Sequence, residues 1–309
     1  MRILVLGAGA VGGYFGGRLA EAGGDITFLV RPRRAAELAA DGLAIASPAG
    51  DAALAVRTVT AAAAPYDLVL LCCKAYDLAA AMESVAPAVG AGSCVLPLLN
   101  GLRHLDLLDA RFGAPRVLGG LCAIAATLGE GGRILHLSEF HRMAFGERDG
   151  RRSERVTAFA ALAARAKFGS VASDAILLEM WEKWVLLATL AGMTCLMRAP
   201  VGAIVATRDG EALTDELLGE CSAVAAASGF APRAAFLERT RGMLTARGSP
   251  FTASMLRDIE RGGPTEGAHI LGDLLQRARA LGVAAPLLRV AACHAEAYEA
   301  RRGVGEATA

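Results

Sequence analysis

A glycine-rich turn between an apolar run and a helical pattern limits this chain to few folds. Residues 3–6 read Ile-Leu-Val-Leu and end in Gly7, and Gly7, Gly9 and Gly12 then form G-x-G-x-x-G. Residues 11–22 continue with an amphipathic helix pattern, and residues 26–30 form a second apolar run. Strand, glycine turn, helix and strand in this order make the βαβ unit that binds dinucleotides. Each glycine has a mechanical reason. Gly7 permits the tight turn out of the strand, Gly9 lets the backbone approach a pyrophosphate, and Gly12 lets the helix pack close to the strand. Gly7, Gly9, Ala10, Val11 and Gly12 are therefore the expected cofactor-binding residues, with the helix N-terminus offering N–H groups and partial positive charge to the phosphates. A purely structural glycine turn is the alternative.

The end of the second apolar run bears on which dinucleotide binds. NAD sites place Asp or Glu there for the ribose hydroxyls. Here the chain reads Val30-Arg31-Pro32-Arg33-Arg34, with no acid before Glu37. A guanidinium suits bidentate binding of a 2′-phosphate, so the expected cofactor is NADP(H), with Arg31 as the main contact and Arg34 as the second. The bland alternative is a solvated basic turn.

Several classes are excluded by composition. At 309 residues, 54% of them hydrophobic, the chain can bury two cores and is not disordered. A net charge of +1 offers no polyanion-binding surface, so no nucleic-acid partner is expected. The seven cysteines show no metal spacing, and the adjacent Cys72 and Cys73 read as buried thiols rather than a disulfide. No signal peptide and no membrane span are apparent, so a cytoplasmic location is expected.

Along the chain, residues 35–40 read as a short helix, and residues 43–45 and 54–56 as short strands around a turn at 48–50. Residues 67–73 (Asp-Leu-Val-Leu-Leu-Cys-Cys) read as a central parallel strand ending at Lys74. Residues 76–85 are helical, and residues 94–98 form a strand ending at Asn100-Gly101. Residues 117–121 form another strand. Residues 134–137 and 142–145, split by Ser138-Glu139, read as an added antiparallel pair. From Arg151 the pattern changes to long helices, at 156–166, 174–197, 214–228, 233–247, 265–280 and 286–301, with residues 170–172 as a connector and a frayed tail after Arg302. The expected fold class is α/β: an N-terminal Rossmann-type dinucleotide-binding domain over residues 1–168, then an all-helical domain over residues 169–309.

Lys74 and Asn100 follow strand ends, where ligands bind in open α/β sheets, although a loop lysine and a plain turn would read the same way. Lys183 lies in Trp181-Glu182-Lys183-Trp184, inside an otherwise apolar helix. An unpaired buried ammonium is costly, and partial desolvation would tune it as a proton donor. A surface lysine paired with Glu179 or Glu182 is the bland reading. Ser254 could cap a helix, and Glu266 could complement a helix dipole. His136 and His269 look isolated, and no metal is assigned.

Taken together, GAGAVGGYFGGRLAEAG with Arg31, the run ending at Lys74, Asn100-Gly101, Trp181-Glu182-Lys183, and Ser254-Met255-x-x-Asp258 followed by Pro264-Thr265-Glu266 and Gly272 resemble the ketopantoate reductase (2-dehydropantoate 2-reductase) family over nearly the full length. The resemblance implies NADPH-dependent reduction of a small 2-keto acid in a cleft between two domains, nominally 2-dehydropantoate to pantoate in pantothenate biosynthesis. It implies Lys183 as the general acid, and Lys74 and Asn100 lining the cofactor and active-site cleft. It gives Ser254 the substrate carboxylate, and Glu266 a substrate hydroxyl or the positioning of Lys183. The helical domain also suits a homodimer.

Departures from the family pattern concern the substrate. Where the family usually has asparagine, this chain has Leu187, Ala191 and Leu271, and Leu99 replaces a glutamine. Lost polar partners weaken selectivity for a substrate hydroxyl, so a more apolar 2-keto acid or bulkier carbonyl compound is expected, with Thr194 restoring some polarity. The alternatives are an opine- or hydroxyacid-type dehydrogenase and, outside enzymes, an NADP(H)-binding sensor.

Overall fold

The computed structural model describes residues 1–307. In chain order its first part runs β1 (Arg2–Leu6), α1 (Ala10–Glu21), β2 (Asp25–Leu29), α2 (Pro32–Asp41), β3 (Leu43–Ala46), β4 (Ala52–Leu54), β5 (Arg57–Val59), β6 (Leu68–Leu71), α3 (Leu78–Val85), β7 (Cys94–Pro97), α4 (Arg103–Phe112), β8 (Gly119–Leu128), β9 (Ile134–Gly146), α5 (Glu154–Ala163) and β10 (Gly169–Ala172). The helical part follows as α6 (Ile176–Met197), α7 (Val201–Val205), α8 (Gly210–Ala227), α9 (Ala234–Leu244), α10 (Ser254–Glu260), a π-helical turn (Ala268–Gly272), α11 (Asp273–Ala280) and α12 (Pro286–Ala307). Internal contacts divide the chain into two units. One comprises Met1–Leu99 and His104–Ile176, and the other comprises Asn100–Arg103 and Leu177 onward.

In the first unit, five parallel strands form a sheet in the order β5-β2-β1-β6-β7. Ile3, Leu4 and Val5 of β1 and all of β6 are buried, as strands covered on both faces must be. The order reverses between β1 and β6, and in such sheets the ligand crevice opens at the carboxyl ends of the strands flanking that reversal. Gly7 follows β1 there, and Lys74 lies just beyond β6. The first turns of α1 pack tightly. A Cβ on Gly12 would stand 2.3 Å from the Gly7 carbonyl oxygen and 3.1 Å from the Cys72 Cβ.

The second sheet differs from the sequence expectation. Residues 134–137 and 142–145 are not a hairpin pair but one strand, β9, antiparallel to β8. The register jumps between Ile124 and Ala126, so residues 137–140 bulge out opposite Ala125, whose N–H donates to Ser138 Oγ at 3.2 Å. A bulge breaks the alternation in the sequence much as a turn does. The stretch at 170–172, expected as a connector, is the strand β10, parallel to β9. Tyr14, His136 and His141 cluster beneath this sheet, with the two imidazoles stacked 5.0 Å apart, so His136 is not isolated.

In the second unit, α6 is largely buried. Trp184 is fully buried, and its Nε1–H donates to the Ile270 carbonyl at 2.9 Å, tying α6 to the π-helical turn. The last helix does not fray after Arg302 but continues to Ala307. No helix among the described residues is long and apolar enough to cross a membrane.

Candidate active site

On the first unit, the glycine turn joins β1 to the N-terminus of α1. Gly7 has φ +86°, a backbone that favours glycine. Gly9 is the N-cap of α1 and brings no side-chain oxygen to the helix N–H groups. A Cβ built on Gly9 meets nothing within 4 Å. The glycine there is thus not demanded by neighbouring protein atoms, and as N-cap it stands at the positive end of α1, where helix N–H groups favour an anion. These residues fit a dinucleotide pyrophosphate. Lys74 is half-buried beside the turn, on the segment whose Cys72 touches Gly12.

The arginines at the end of β2 separate in role. Arg31 caps α2 in an extended conformation and is exposed, and its guanidinium makes no hydrogen bond or ion pair among the described residues. Arg34, expected as a second phosphate contact, is committed elsewhere. Its guanidinium donates to Glu37 at 3.1 Å and to the Gly132 carbonyl at 2.8 Å, pinning α2 to the β8–β9 connection. Arg33 also pairs with Glu37. The hydrogen bonds from Arg34, then Arg33, hold the Glu37 carboxyl below the usual carboxylate range. Glu37 is therefore engaged by arginines rather than available to a ribose.

On the second unit, the half-buried Lys183 on α6 donates from Nζ to Asn100 Oδ1 at 2.8 Å. Two residues 83 positions apart are thus brought together. Glu182, a suggested surface partner for Lys183, is instead buried and held by Arg233, whose backbone N–H donates to it at 2.9 Å and whose guanidinium binds both its carboxylate oxygens. Glu266 is buried just before the π-helical turn. Ser254 is the first residue of α10 and Ala253 is its cap, so Ser254 does not cap the helix. It is exposed, and its hydroxyl makes no hydrogen bond among the described residues.

The apolar replacements noted in the sequence also separate. Leu271 and Leu99 are buried at 0% and 4% exposure, so core packing accounts for them. Ala191 is buried too, and only Leu187, one turn after Lys183, is partly exposed. Thr194 is fully buried and donates to the Leu190 carbonyl at 2.7 Å, so it adds no polarity to an open site.

Residues supporting the Glu266 segment were not legible locally. Glu299 of α12 accepts from the Thr265 N–H at 2.6 Å and its hydroxyl at 2.7 Å, and Tyr298 donates to the Gly263 carbonyl at 2.8 Å. Burial raises the Glu299 pKa, but Thr265 and Arg302 outweigh it and hold the carboxyl below 4.5. A lowered folded-state pKa contributes stability above the unfolded value and loses it as pH falls through the folded value. Glu299→Gln is therefore expected to be less stable than the parent by about 1 kcal/mol at pH 7, with the gap closing as pH falls below 4.5 and through the lowered folded-state value. Urea melts at neutral and acidic pH test this, and a gap that widens in acid would contradict it.

Thiol chemistry finds no support. None of the seven cysteines forms a disulfide, and burial pushes Cys94 up to about 11 and Cys195 and Cys221 up to about 12. No group of three or more metal-ligating side chains occurs among the described residues.

A glycine turn at the switch point of a parallel sheet, followed by a helical unit carrying a lysine–asparagine pair, has the plan of an oxidoreductase dependent on a pyridine nucleotide. Comparison with known proteins gives the family. Residues 3–150 match "Ketopantoate reductase PanE/ApbA" and residues 175–299 match "Ketopantoate reductase PanE/ApbA C terminal". The chain is 39% identical over 303 residues to an uncharacterized oxidoreductase of Bacillus subtilis (strain 168), covering 98% of this chain and all of the relative. It is 27% identical to a 2-dehydropantoate 2-reductase of Mesorhizobium japonicum, covering 86% of this chain and 88% of that one. Among solved structures, 2-dehydropantoate 2-reductase from Geobacter metallireducens superposes with a TM-score of 0.87 at 31% identity, covering 96% of this chain and 99% of that one. The chain belongs to the ketopantoate reductase family and is an oxidoreductase.

Proposed function

We propose that this protein reduces a 2-keto acid to a 2-hydroxy acid, with NADPH as cofactor and Lys183 as the proton donor. The observation that carries the reading is the Lys183 Nζ to Asn100 Oδ1 hydrogen bond at 2.8 Å, which holds a half-buried ammonium in one orientation. Bound NADPH supplies the hydride that forms the new C–H bond at the carbonyl carbon. As negative charge develops on the carbonyl oxygen, the ammonium stabilises it and transfers a proton from Nζ. Ser254, exposed with its hydroxyl unengaged, suits the substrate carboxylate. Glu266 takes a substrate hydroxyl or orients Lys183. Gly7, Gly9, Ala10, Val11 and Gly12 hold the pyrophosphate, Lys74 lines the cofactor site, and Arg31 binds the 2′-phosphate. Ketopantoate is the nominal substrate, since family relatives carry that name. A more apolar 2-keto acid is a second reading, favoured by the partly exposed Leu187 beside Lys183.

The test is initial rates of NADPH and NADH oxidation with ketopantoate and a panel of apolar and aromatic 2-keto acids, for the parent and Arg31→Ala. NADPH is expected to be preferred, and Arg31→Ala to cut that preference roughly 10- to 100-fold, the loss of one charge-assisted contact. Equal use of both cofactors by the parent would exclude the NADPH assignment. Ketopantoate outcompeting every apolar acid would exclude the second reading.

A further inference from the structure

His269 belongs to no part of the machinery described above, yet it stands directly behind it. It lies in the π-helical turn, three residues after Glu266, and is buried at 7% exposure. Its ring is pressed against Gly101, where an added Cβ would come within 3.0 Å of Cδ2 and 3.2 Å of Nε2. Gly101 has φ +72°, so the Asn100-Gly101 turn is held in a backbone that other residues adopt only with strain. The Asn100 backbone also stands beside the ring, where it favours the protonated imidazole. The Asn100 side chain, in turn, accepts from Lys183. The turn carrying His269 is itself fixed, because its Ile270 carbonyl takes the indole N–H of Trp184, the residue next to Lys183.

We infer that His269 is a positioning residue, which locks the Asn100-Gly101 turn so that the Asn100 carboxamide oxygen meets the Lys183 ammonium. The inference rests on Lys183 acting as the proton donor. The lock closes a short circuit of four side chains. Lys183 and Trp184 are neighbours on α6, Trp184 fixes the turn that carries His269, the His269 ring packs against Gly101 next to Asn100, and Asn100 returns to Lys183. The π-helical turn has a reason in this circuit, since wide turns re-aim side chains and recur at functional sites. Charged groups facing the imidazole are Glu266, Asp273 and Arg103, and burial, the largest influence, keeps it neutral at pH 7. A neutral ring can hold the Asn100-Gly101 turn without adding a second positive charge next to the ammonium.

The consequence is readable in kinetics. An oxygen accepting from an ammonium favours the charged form, so a displaced Asn100 lowers the Lys183 pKa. A general acid works only below its pKa, so the basic limb of the kcat profile then moves to lower pH. The experiment follows kcat, KM and the pH profile with NADPH and whichever keto acid of the panel turns over fastest, beside a Lys183→Ala control. His269→Phe keeps a ring against Gly101 and removes the ring nitrogens. His269→Asn and His269→Gln restore an amide donor at the positions of Nδ1 and Nε2. Expected for His269→Phe is a roughly 10- to 100-fold fall in kcat with KM within about twofold, the cost of a misplaced reacting group. The basic limb moves down in pH, and Asn or Gln restores both. Loss of turnover in Lys183→Ala with a parental kcat and limb in His269→Phe overturns the His269 role alone. Equal losses in all three variants with an unmoved limb reduce His269 to packing and overturn it as well. Full turnover in Lys183→Ala overturns the proposed proton donor, and the His269 role falls with it.

Discussion

Lys183→Ala is expected to lower turnover by roughly 10²- to 10⁴-fold, the usual contribution of a positioned general acid, while cofactor affinity stays within about twofold. The loss should fall on kcat rather than on KM, because proton transfer to the carbonyl oxygen is realised only in the transition state. The fold should survive, since Lys183 is half-buried and alanine favours helix. Stopped-flow transfer of hydride from NADPH, alongside cofactor titration by fluorescence, separates chemistry from binding. A variant that binds NADPH and reduces the keto acid at the parental rate would remove Lys183 from the mechanism. It would also revive the reading of this chain as a nucleotide-binding sensor.

Gly9→Ala and Gly12→Ala are expected to part company. At Gly9 an added Cβ meets nothing within 4 Å, and its φ of −84° is open to any residue. Gly9→Ala should therefore melt like the parent. With the pyrophosphate on this turn, as proposed, the methyl would keep the cofactor from the backbone, so NADPH affinity should fall at least tenfold, about 1.4 kcal/mol. At Gly12 an added Cβ lies 2.3 Å from the Gly7 carbonyl oxygen, which is backbone and cannot rotate away. Gly12→Ala should cost about 1–3 kcal/mol of stability through overpacking, besides weakening the cofactor. Thermal melts and NADPH titrations decide between them. A Gly9→Ala protein with parental NADPH affinity would mean that the open space is not where the cofactor sits.

Local patterns in the chain proved sufficient for some features because their physics is local. The G-x-G-x-x-G turn is followed by a helix and preceded by an apolar strand, and all three act within one stretch of chain. The buried run at residues 68–71 and the long apolar helix around Lys183 are likewise hydrophobic patterns that only one environment satisfies. The bulge at residues 137–140 was not legible, since a break in alternation looks the same whether the chain turns back or loops out and resumes.

What the sequence by itself determined is the kind of molecule: a dinucleotide-binding sheet, a helical unit, and a lone lysine in an apolar helix that needs a reason to be there. Only the tertiary structure decided what each polar group faces. It gave Lys183 to Asn100, Glu182 to Arg233 and Arg34 to Gly132, and it put Leu271 in the core while leaving Leu187 partly exposed. It also brought Glu299 to Thr265 across 34 residues and the His269 ring against Gly101. The physical reason is range. Periodicity and turn chemistry act over a few residues. Pairings between side chains far apart in the chain are fixed only when the whole unit packs and every buried polar group must find a partner.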